Sequence, residues 1–236
     1  MANKYNLTMA KVAVLIPCYN EELTIKTVIE DAKKHLPDAD IYVYDNNSTD
    51  KTSEVALEAG AIVKECPNKG KGNVFKQMFK EIDADVYITT DGDDTYNLKE
   101  AQVMVDKVIN EDVDMVVGDR LSSSYFGNKK NGRFHSFGNR LVRFLVNLLF
   151  HQKYKDVMTG LRALSPNFVK SINIISDGFQ VETEFSIYAA KHGLKVDSVE
   201  IEYQDRPEGS QTKTRVIRDG VRIIWMIFKL KFKRKY

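Results

Sequence analysis

The chain has 236 residues, 43% of them hydrophobic, which is enough for a packed core and excludes disorder as its main state. It carries 35 Lys and Arg against 33 Asp and Glu, a formal net charge of +2. Residues 229–236 hold five bases and no acid, so the rest of the chain is mildly acidic. This distribution argues against a nucleic-acid-binding fold, because recognition of phosphates requires a basic face on the fold itself.

Short runs rich in Val, Ile and Tyr alternate with helical patterns along most of the chain. The predicted strands are 11–16, 41–44, 61–65, 86–90, 113–117 and 195–203. The predicted helices are 21–35, 49–59, 72–82, 98–110, 137–150, 165–172, 179–191 and 214–232. This alternation predicts an α/β fold with a mostly parallel sheet and helices on both faces, whose ligands bind beyond the carboxyl ends of the strands.

No segment is apolar for long enough to predict a membrane span. The run 12–17 is too short for the apolar region of a signal sequence and is more typical of a strand. The run 223–228 falls well short of the roughly 20 apolar residues that a span requires. The sequence therefore predicts a cytoplasmic protein.

The loops after the first three predicted strands carry polar residues suited to a nucleotide. Asn20 is placed to cap the helix predicted from residue 21, and Asp45 can accept a hydrogen bond from a ribose hydroxyl. Both residues are equally typical of ordinary loops and helix caps. The segment 68–73 is glycine-rich and cationic, and it opens a helix whose backbone N–H groups suit a diphosphate. Lys71 in this segment is either a further diphosphate ligand or a solvated surface lysine.

Two common classes of nucleotide-binding protein lack their motif in this chain. The segment 68–73 does not have the spacing of a P-loop, and no GxGxxG follows the first strand. The sequence therefore disfavours both a P-loop NTPase and a dinucleotide-dependent oxidoreductase.

The loop after the fourth predicted strand holds three carboxylates within four residues, Asp91, Asp93 and Asp94. Carboxylates this close repel one another unless a cation lies among them. Mg²⁺ and Mn²⁺ prefer few protein carboxylates and complete their shell with substrate phosphates and water. The EF-hand spacing of a calcium loop is absent. The sequence therefore predicts a Mg²⁺ or Mn²⁺ site at this loop.

Together these loops resemble the GT-A-fold glycosyltransferases of family 2, and within it the polyprenyl-phosphate glycosyltransferases such as dolichol-phosphate mannosyltransferase. The segments 16–22 (IPCYNEE), 44–52 (YDNNSTDKT) and 91–96 (DGDDTY) are similar to the family's nucleotide-binding and DAD-type metal blocks. The resemblance implies a GT-A domain at 1–212 with a Rossmann-like, mostly parallel sheet and helices on both faces.

The resemblance also implies which residues form the donor site. Those expected to bind the nucleotide-sugar are Pro17, Tyr19, Asn20, Glu21, Asp45, Lys71, Asp91 and Gly92. Asp91 and Asp93 are expected to hold Mg²⁺ or Mn²⁺. Asn46 and Asn47 replace the family's second Asp and its Gly, which leaves the base identity open. The residues 94–96 are closer to members that use UDP-sugars, so a UDP-sugar is the expected donor and GDP-mannose the alternative.

Four later segments, 118–120, 156–163, 178–184 and 203–213, are similar to blocks of the polyprenyl-phosphate branch. The residues expected to bind the acceptor phosphate are Arg120, Arg162, Arg206, Ser210 and Lys213. The expected catalytic residues are Asp93, Glu184 and Arg206. Glu184 is either a base or a glutamate that faces the core or the helix surface. The QxxRW motif of processive synthases is absent, which disfavours polysaccharide chain elongation. The resemblance implies transfer with inversion at the anomeric carbon. The alternative acceptor is a saccharide.

The end of the chain, 213–236, predicts a basic amphipathic helix. Apolar residues recur there at helical spacing, with Arg215, Arg218 and Arg222 around them. This pattern suits a helix on an anionic membrane surface and predicts a peripheral protein at the inner face of the membrane. The alternative is a helix packed on the core with a solvated basic end.

Two other functional classes share the predicted architecture. A sugar-nucleotidyltransferase requires a Gly/Arg-rich fingerprint where this chain has PCYNEE, so it is disfavoured. A non-catalytic module that binds a sugar nucleotide stays open. The polar segment 122–135 is either a binding lid or an ordinary surface loop.

Overall fold

The structure is a computed structural model that describes residues 10–122, 132–209 and 216–233. Ser210 and Lys213, two of the predicted acceptor residues, lie outside the described residues, as does Arg215. Most of the polar segment 122–135 lies outside them as well, so its two interpretations stay open.

Within the described residues, seven strands form one sheet. They are β1 (Val12–Cys18), β2 (Asp40–Asp45), β3 (Ile62–Glu65), β4 (Val86–Thr89), β5 (Met115–Asp119), β6 (Arg162–Leu164) and β7 (Val196–Glu200). Their order across the sheet is β3-β2-β1-β4-β6-β5-β7, and β6 runs antiparallel to both of its neighbours while the other pairs are parallel. The predicted α/β fold with a mostly parallel sheet is confirmed.

The helices cover both faces of this sheet. They are α1 (Ile25–His35), α2 (Thr52–Glu58), α3 (Lys71–Glu81), α4 (Ala101–Glu111), α5 (Gly132–Phe150), α6 (Pro166–Ser171), α7 (Val181–His192) and α8 (Val216–Phe232). Val14 and Ile16 of β1 join a hydrophobic cluster with α1 and α4, whereas Ala13 and Leu15 join another with α3 and α7. Since alternate residues of a strand point to opposite faces, the two clusters lie on opposite sides of the sheet.

A third hydrophobic cluster joins α5, α7 and α8. The residues that α8 buries in it are Ile223, Met226, Ile227 and Leu230. A second set of apolar residues on α8 is exposed, namely Val221, Trp225, Phe228 and Phe232. Helix α8 therefore packs on the core through one face and leaves another apolar stripe uncovered. No helix in the described part of the chain is both long and apolar enough to cross a membrane.

Two local predictions are wrong. Strand β6 was not predicted, because three residues that begin with a buried arginine are too few to show alternation. Helix α1 begins at Ile25 rather than at residue 21, because the backbone N–H groups of Thr24 and Ile25 both donate to the Glu21 carbonyl at 3.0 Å and form a turn.

Candidate active site

A cavity of about 850 Å³ lies where the loops after β1, β2 and β4 meet. Most of the residues predicted for the donor site line it, together with Arg206. They are Pro17, Tyr19, Asn20, Glu21, Lys71, Asp91, Gly92 and Asp93. Parallel strands bring their carboxyl-end loops to one edge of a sheet, which is why residues far apart in sequence meet there.

Asn20 ties the loop after β1 to the loop after β2. It has a φ of 54°, a left-handed conformation that asparagine tolerates better than most residues. Its backbone N–H donates to Ser48 Oγ at 2.9 Å, and its side-chain oxygen accepts from the Thr49 N–H at 2.8 Å. The predicted capping of α1 by Asn20 is therefore wrong. These bonds instead hold Tyr19, which is 41% exposed, on the wall of the cavity.

The loop after β2 is closed by its own side chains. Asp45 accepts hydrogen bonds from the Ser48 N–H at 2.9 Å and from Ser53 Oγ at 2.7 Å. Asn46 lines the cavity and donates its side-chain amide to the carbonyls of Cys66 and Asn68. Binding of a nucleoside by Asp45 stays a prediction, and Asn46 joins the candidate residues because it faces the cavity.

The start of α3 is already occupied by backbone. The Gly72 N–H donates to the Asp177 carbonyl at 3.0 Å, and the Asn73 N–H donates to the Gly70 carbonyl at 2.9 Å. A Cβ on Gly72 would lie 2.2 Å from the Ser176 carbonyl oxygen, so only glycine permits this contact. Contrary to the prediction, these two N–H groups are not open to a diphosphate, because the first holds the segment before α7 and the second closes the first turn of α3.

Lys71 is a buried cation with two carboxylate partners. Its ammonium donates to Asp91 Oδ1 and to Glu182 Oε1. Burial alone would lower the pKa of Lys71, but the two carboxylates outweigh it and raise that pKa. Lys71 is therefore not a solvated surface lysine, and it stays charged throughout the working pH range. Glu182 was not among the predicted site residues, although it lies in the segment 178–184 that also contains Glu184.

The Asp91–Asp93 loop is packed tightly against its neighbours. The Thr24 hydroxyl donates to the Gly92 carbonyl at 2.7 Å. A Cβ on Gly92 would lie 2.6 Å from Cys18 Sγ, and a Cβ on Gly160 would lie 2.7 Å from Asp91 Oδ2. A Cβ at either glycine would therefore clash, and the contact of Gly160 limits where the Asp91 carboxylate can lie.

Arg206 reaches the same loop from the chain that follows β7. Tyr203 pairs with Tyr96 in an isolated antiparallel bridge, and the Gln204 N–H donates to the Thr95 carbonyl at 2.9 Å. Arg206 Nη2 then lies 2.5 Å from Asp93 Oδ2, and Nη1 lies 3.6 Å from Glu21 Oε1. The predicted catalytic pair Asp93 and Arg206 is in direct contact.

Carboxylates and cations lie side by side around the cavity. Burial raises the pKa of Asp93, and the neighbouring Asp91 raises it further against the opposing effect of Arg206. Burial also raises the pKa of the Cys18 thiol, and Glu21 and Asp45 are the next contributors. The closeness of Asp91 to Asp93 favours a cation between them, which is the electrostatic condition for binding a divalent metal.

The donor set at this loop fits a metal that is completed by substrate. Among the described residues, no three His, Cys, Asp or Glu side chains are placed together to hold a metal ion. Asp91 and Asp93 supply only oxygen donors, and Mg²⁺ is commonly bound by one or two carboxylates with substrate phosphates and water. The residues present fit Mg²⁺ or Mn²⁺ in that manner and do not form an all-protein cage.

Two of the predicted acceptor arginines are bound within the protein. Arg120 is buried, and it donates to Asp156 Oδ2 at 2.9 Å and to the Met158 carbonyl at 2.8 Å. Arg162 is 1% exposed and donates to the carbonyls of Thr159 at 3.1 Å and Glu182 at 2.9 Å. Neither arginine lines the cavity. Their binding of the acceptor phosphate stays a prediction. In this structure Arg162 links the residues before β6 to the start of α7, and Arg120 is held by Asp156 and Met158.

Glu184 is also a structural residue. It is fully buried, and its carboxylate accepts from the backbone N–H groups of Ile175 at 2.7 Å and Ser176 at 2.9 Å. The structure therefore has the core-facing glutamate of the alternative interpretation, and the role of catalytic base stays a prediction that this geometry does not support. The carboxylate of α7 that reaches the site is Glu182. It binds the same Lys71 ammonium that binds Asp91.

A solved structure identifies the fold of this chain. Glucosyl-3-phosphoglycerate synthase from Mycobacterium tuberculosis, in complex with Mn²⁺, UDP and glucosyl-3-phosphoglycerate, matches 96% of this chain and 82% of its own. The TM-score is 0.79 and the two sequences are 19% identical, so the likeness shows the fold alone. That fold is the GT-A glycosyltransferase fold.

Sequence comparisons assign the chain to a family within this class. Residues 13–172 match the model of Glycosyl transferase family 2, and the chain belongs to that family. Glycosyltransferase AglJ from Haloferax volcanii is 36% identical over 210 residues, which are 89% of this chain and 68% of that protein. Dolichyl-phosphate hexose transferase from the same species is 30% identical over 220 residues, 92% of this chain and 92% of that protein. The chain is a glycosyltransferase, as the resemblance implied.

Proposed function

We propose that this glycosyltransferase moves a sugar from a UDP-sugar to a polyprenyl phosphate, with inversion at the anomeric carbon and with Mg²⁺ or Mn²⁺. The observation that carries the proposal is the contact between Asp93 and Arg206 on the wall of one cavity. It brings a carboxylate suited to a metal together with a guanidinium suited to a phosphate. The name of the dolichyl-phosphate hexose transferase supports the lipid acceptor. The Mn²⁺ and UDP in the synthase of like fold support the donor and the metal.

The cavity suits a nucleotide-sugar in size and lining. Its volume of about 850 Å³ falls within the range of roughly 300–1,000 Å³ that is typical of small-molecule sites. Tyr19 offers an exposed aromatic ring, and Asn46 and Glu21 offer polar groups near it. We assign the nucleoside to this part of the cavity and the diphosphate to the part formed by Lys71, Asp91 and Asp93.

The residues around the diphosphate have separate roles. Lys71 holds the Asp91 carboxylate in place and adds a permanent positive charge beside it. Thr95 donates its hydroxyl to Asp93 Oδ1 at 2.6 Å, which leaves Oδ2 directed at the cavity side where Arg206 lies. A divalent cation bound at Asp91 and Asp93 would neutralise the charge that develops on the departing diphosphate.

Transfer to a phosphate needs no strong base in the enzyme. The acceptor is already an anion, so one of its oxygens can attack the anomeric carbon directly. The bond between that carbon and the diphosphate oxygen breaks, and its electron pair leaves with UDP. The assignment of Glu184 to the core is consistent with this reaction. Arg206 is the described cation that we assign to the acceptor phosphate, which its planar guanidinium can bind with two donors. Ser210 and Lys213 stay predictions.

We further propose that residues 213–236 attach the catalytic unit of residues 1–212 to the inner face of the membrane. Trp225 is 63% exposed, and the Lys229 ammonium lies 4.8 Å from its ring centroid. Exposed Phe144 and Leu148 give the neighbouring helix α5 an apolar stripe of its own. Exposed apolar side chains with lysines among them are typical of surfaces that bind anionic lipid.

A panel of donors and acceptors tests the proposed reaction. UDP-sugars and GDP-mannose would each be offered with a short polyprenyl phosphate, with a saccharide and with 3-phosphoglycerate, in Mn²⁺ and in excess chelator. We expect metal-dependent transfer from a UDP-sugar to the polyprenyl phosphate. Transfer to the saccharide or to 3-phosphoglycerate alone would contradict the acceptor, and transfer from GDP-mannose alone would contradict the donor.

A further inference from the structure

The two carboxylates of the Asp91–Asp93 loop each carry a cation supplied by the chain itself. Lys71 is bound to Asp91, and Arg206 is bound to Asp93. The two cations differ in how firmly they are held. The Lys71 side chain is 8% exposed and has a second carboxylate partner in Glu182, whereas the Arg206 side chain is 24% exposed and lies in a segment outside the helices and strands.

Arg206 occupies the carboxylate oxygen that a metal would use. Asp93 Oδ1 accepts from Thr95 Oγ1 at 2.6 Å, so Oδ2 is the oxygen directed at Arg206. A divalent cation on Oδ2 would lie next to the guanidinium, and two positive charges so close in a partly buried site repel strongly. Binding of a metal at Oδ2 therefore favours displacement of Arg206.

A second carboxylate, that of Glu21, lies close to Arg206. Glu21 Oε1 lies 3.6 Å from Nη1, and the Glu21 carboxylate lines the same cavity. A small shift of the guanidinium would break its contact with Asp93 while Glu21 still balances its charge. The edge that faced Asp93 would then be open to another oxyanion.

We propose that Arg206 is the resident counter-ion of Asp93 and exchanges with the divalent cation, so that metal loading turns the guanidinium towards the acceptor phosphate. This inference rests on the proposed metal-dependent function and adds the order in which the metal and the acceptor bind. Arg206 binds the acceptor phosphate well only after a metal has taken its place on Asp93. The exchange also keeps the carboxylate loop neutralised while no donor is bound.

Binding of Mn²⁺ to the full chain tests the exchange. Free Mn²⁺ would be measured by electron paramagnetic resonance, with Mn²⁺ alone and with Mn²⁺ plus UDP, for the wild type, Arg206→Gln and Arg218→Gln. Arg218 also lines the cavity, but its Nε lies 3.2 Å from Asp219 and not on the Asp91–Asp93 loop. It is the matched control for loss of one positive charge.

We expect Arg206→Gln to bind Mn²⁺ about tenfold more tightly than the wild type, since a charge-assisted hydrogen bond that competes with the metal is removed. Arg218→Gln should change the affinity by less than about threefold, as is usual for an exposed charge. Equal affinities of the wild type and Arg206→Gln would overturn the exchange, as would an equal gain in both variants.

Asp93→Asn separates this inference from the proposed function. Mn²⁺ binding that is lost in Asp93→Asn supports the metal site, and the comparison of arginine variants then decides the exchange. If neither the wild type nor Arg206→Gln binds Mn²⁺ in the presence of UDP, the proposed metal dependence itself is contradicted, and the exchange fails with it.

Geranyl phosphate tests the second half of the proposal. If Mn²⁺ releases Arg206 to bind the acceptor, Mn²⁺ tightens acceptor binding by some factor. By thermodynamic linkage, the acceptor must then tighten Mn²⁺ binding by the same factor. We expect geranyl phosphate to tighten Mn²⁺ binding in the wild type and to have a much smaller effect in Arg206→Gln. The same effect in both proteins would show that Arg206 does not receive the phosphate.

Discussion

Gly160 and Asp91 approach each other so closely that a Cβ on the glycine would lie 2.7 Å from the carboxylate oxygen Oδ2. Gly160 precedes β6 by two residues, and the backbone N–H of Gly160 donates to the Tyr96 hydroxyl at 2.8 Å. This contact places the loop before β6 directly against Asp91, a predicted donor-site carboxylate in the loop after β4.

Gly160→Ala should therefore impair the donor site more than the fold. The methyl group must displace Asp91, so we expect a loss of about tenfold or more in kcat/KM and a loss of stability of about 1–3 kcal/mol. Steady-state kinetics and urea unfolding of the same preparation would measure both effects.

Gly138→Ala is the matched control, because a Cβ at Gly138 in α5 would meet no atom within 4 Å. Alanine in a helix is favoured over glycine by about 0.5–1 kcal/mol, so this variant should be as active as the wild type and slightly more stable. Equal kinetics in the two variants would show that the Gly160 contact does not position Asp91.

The assignment of Glu184 to the core predicts a stability effect. In Glu184→Gln the amide replaces one of the two oxygens that accept from the N–H groups of Ile175 and Ser176. We expect a loss of about 1–3 kcal/mol in the free energy of unfolding, because a buried donor is left without an acceptor. The kcat of the folded enzyme should stay within about threefold of the wild type. A hundredfold loss of kcat at unchanged stability would restore Glu184 as the base.

The proposed membrane surface is best tested on α8 by point substitution. Truncation at residue 229 would also remove Leu230, which is fully buried, so it would damage the core. Trp225→Ser should weaken binding to vesicles of anionic phospholipid by about tenfold or more, given about 1.5–3 kcal/mol for burial of a large apolar side chain. Ile109→Ser on α4, where the isoleucine is 47% exposed, is the control and should bind as the wild type does. Equal sedimentation of all three proteins with vesicles would count against the surface.

The sequence could predict the loops of the site because each follows a strand. Tyr19 and Asp91 stand just beyond strands and Asp45 ends one, and parallel topology then brings them to one edge of the sheet. Local pattern and family resemblance sufficed for these positions. They did not suffice for contacts between distant segments, such as Lys71 with Glu182, which are 111 residues apart.

The sequence could not reveal that Arg120, Arg162 and Glu184 are buried. A charged residue in a motif that resembles a phosphate-binding block is equally suited to a buried hydrogen-bond network. Arg162 is the clearest case. It lies in β6 between β4 and β5, and its described hydrogen bonds go to groups inside the protein, such as the carbonyls of Thr159 and Glu182. Burial decides between the two roles, and burial depends on an antiparallel strand that three residues could not reveal.

In the proposed reaction, Asp93 binds the metal through which the donor is activated. Asp93→Asn keeps the size of the side chain and removes its charge, while Asp94→Asn changes the adjacent carboxylate, which does not line the cavity. The most direct measurement is transfer of radiolabelled sugar from the UDP-sugar to polyprenyl phosphate, with Mn²⁺ and with excess chelator. We predict that transfer by the wild type requires Mn²⁺, falls by about a hundredfold or more in Asp93→Asn and persists in Asp94→Asn. Undiminished transfer by Asp93→Asn, or transfer by the wild type in excess chelator, would contradict the account.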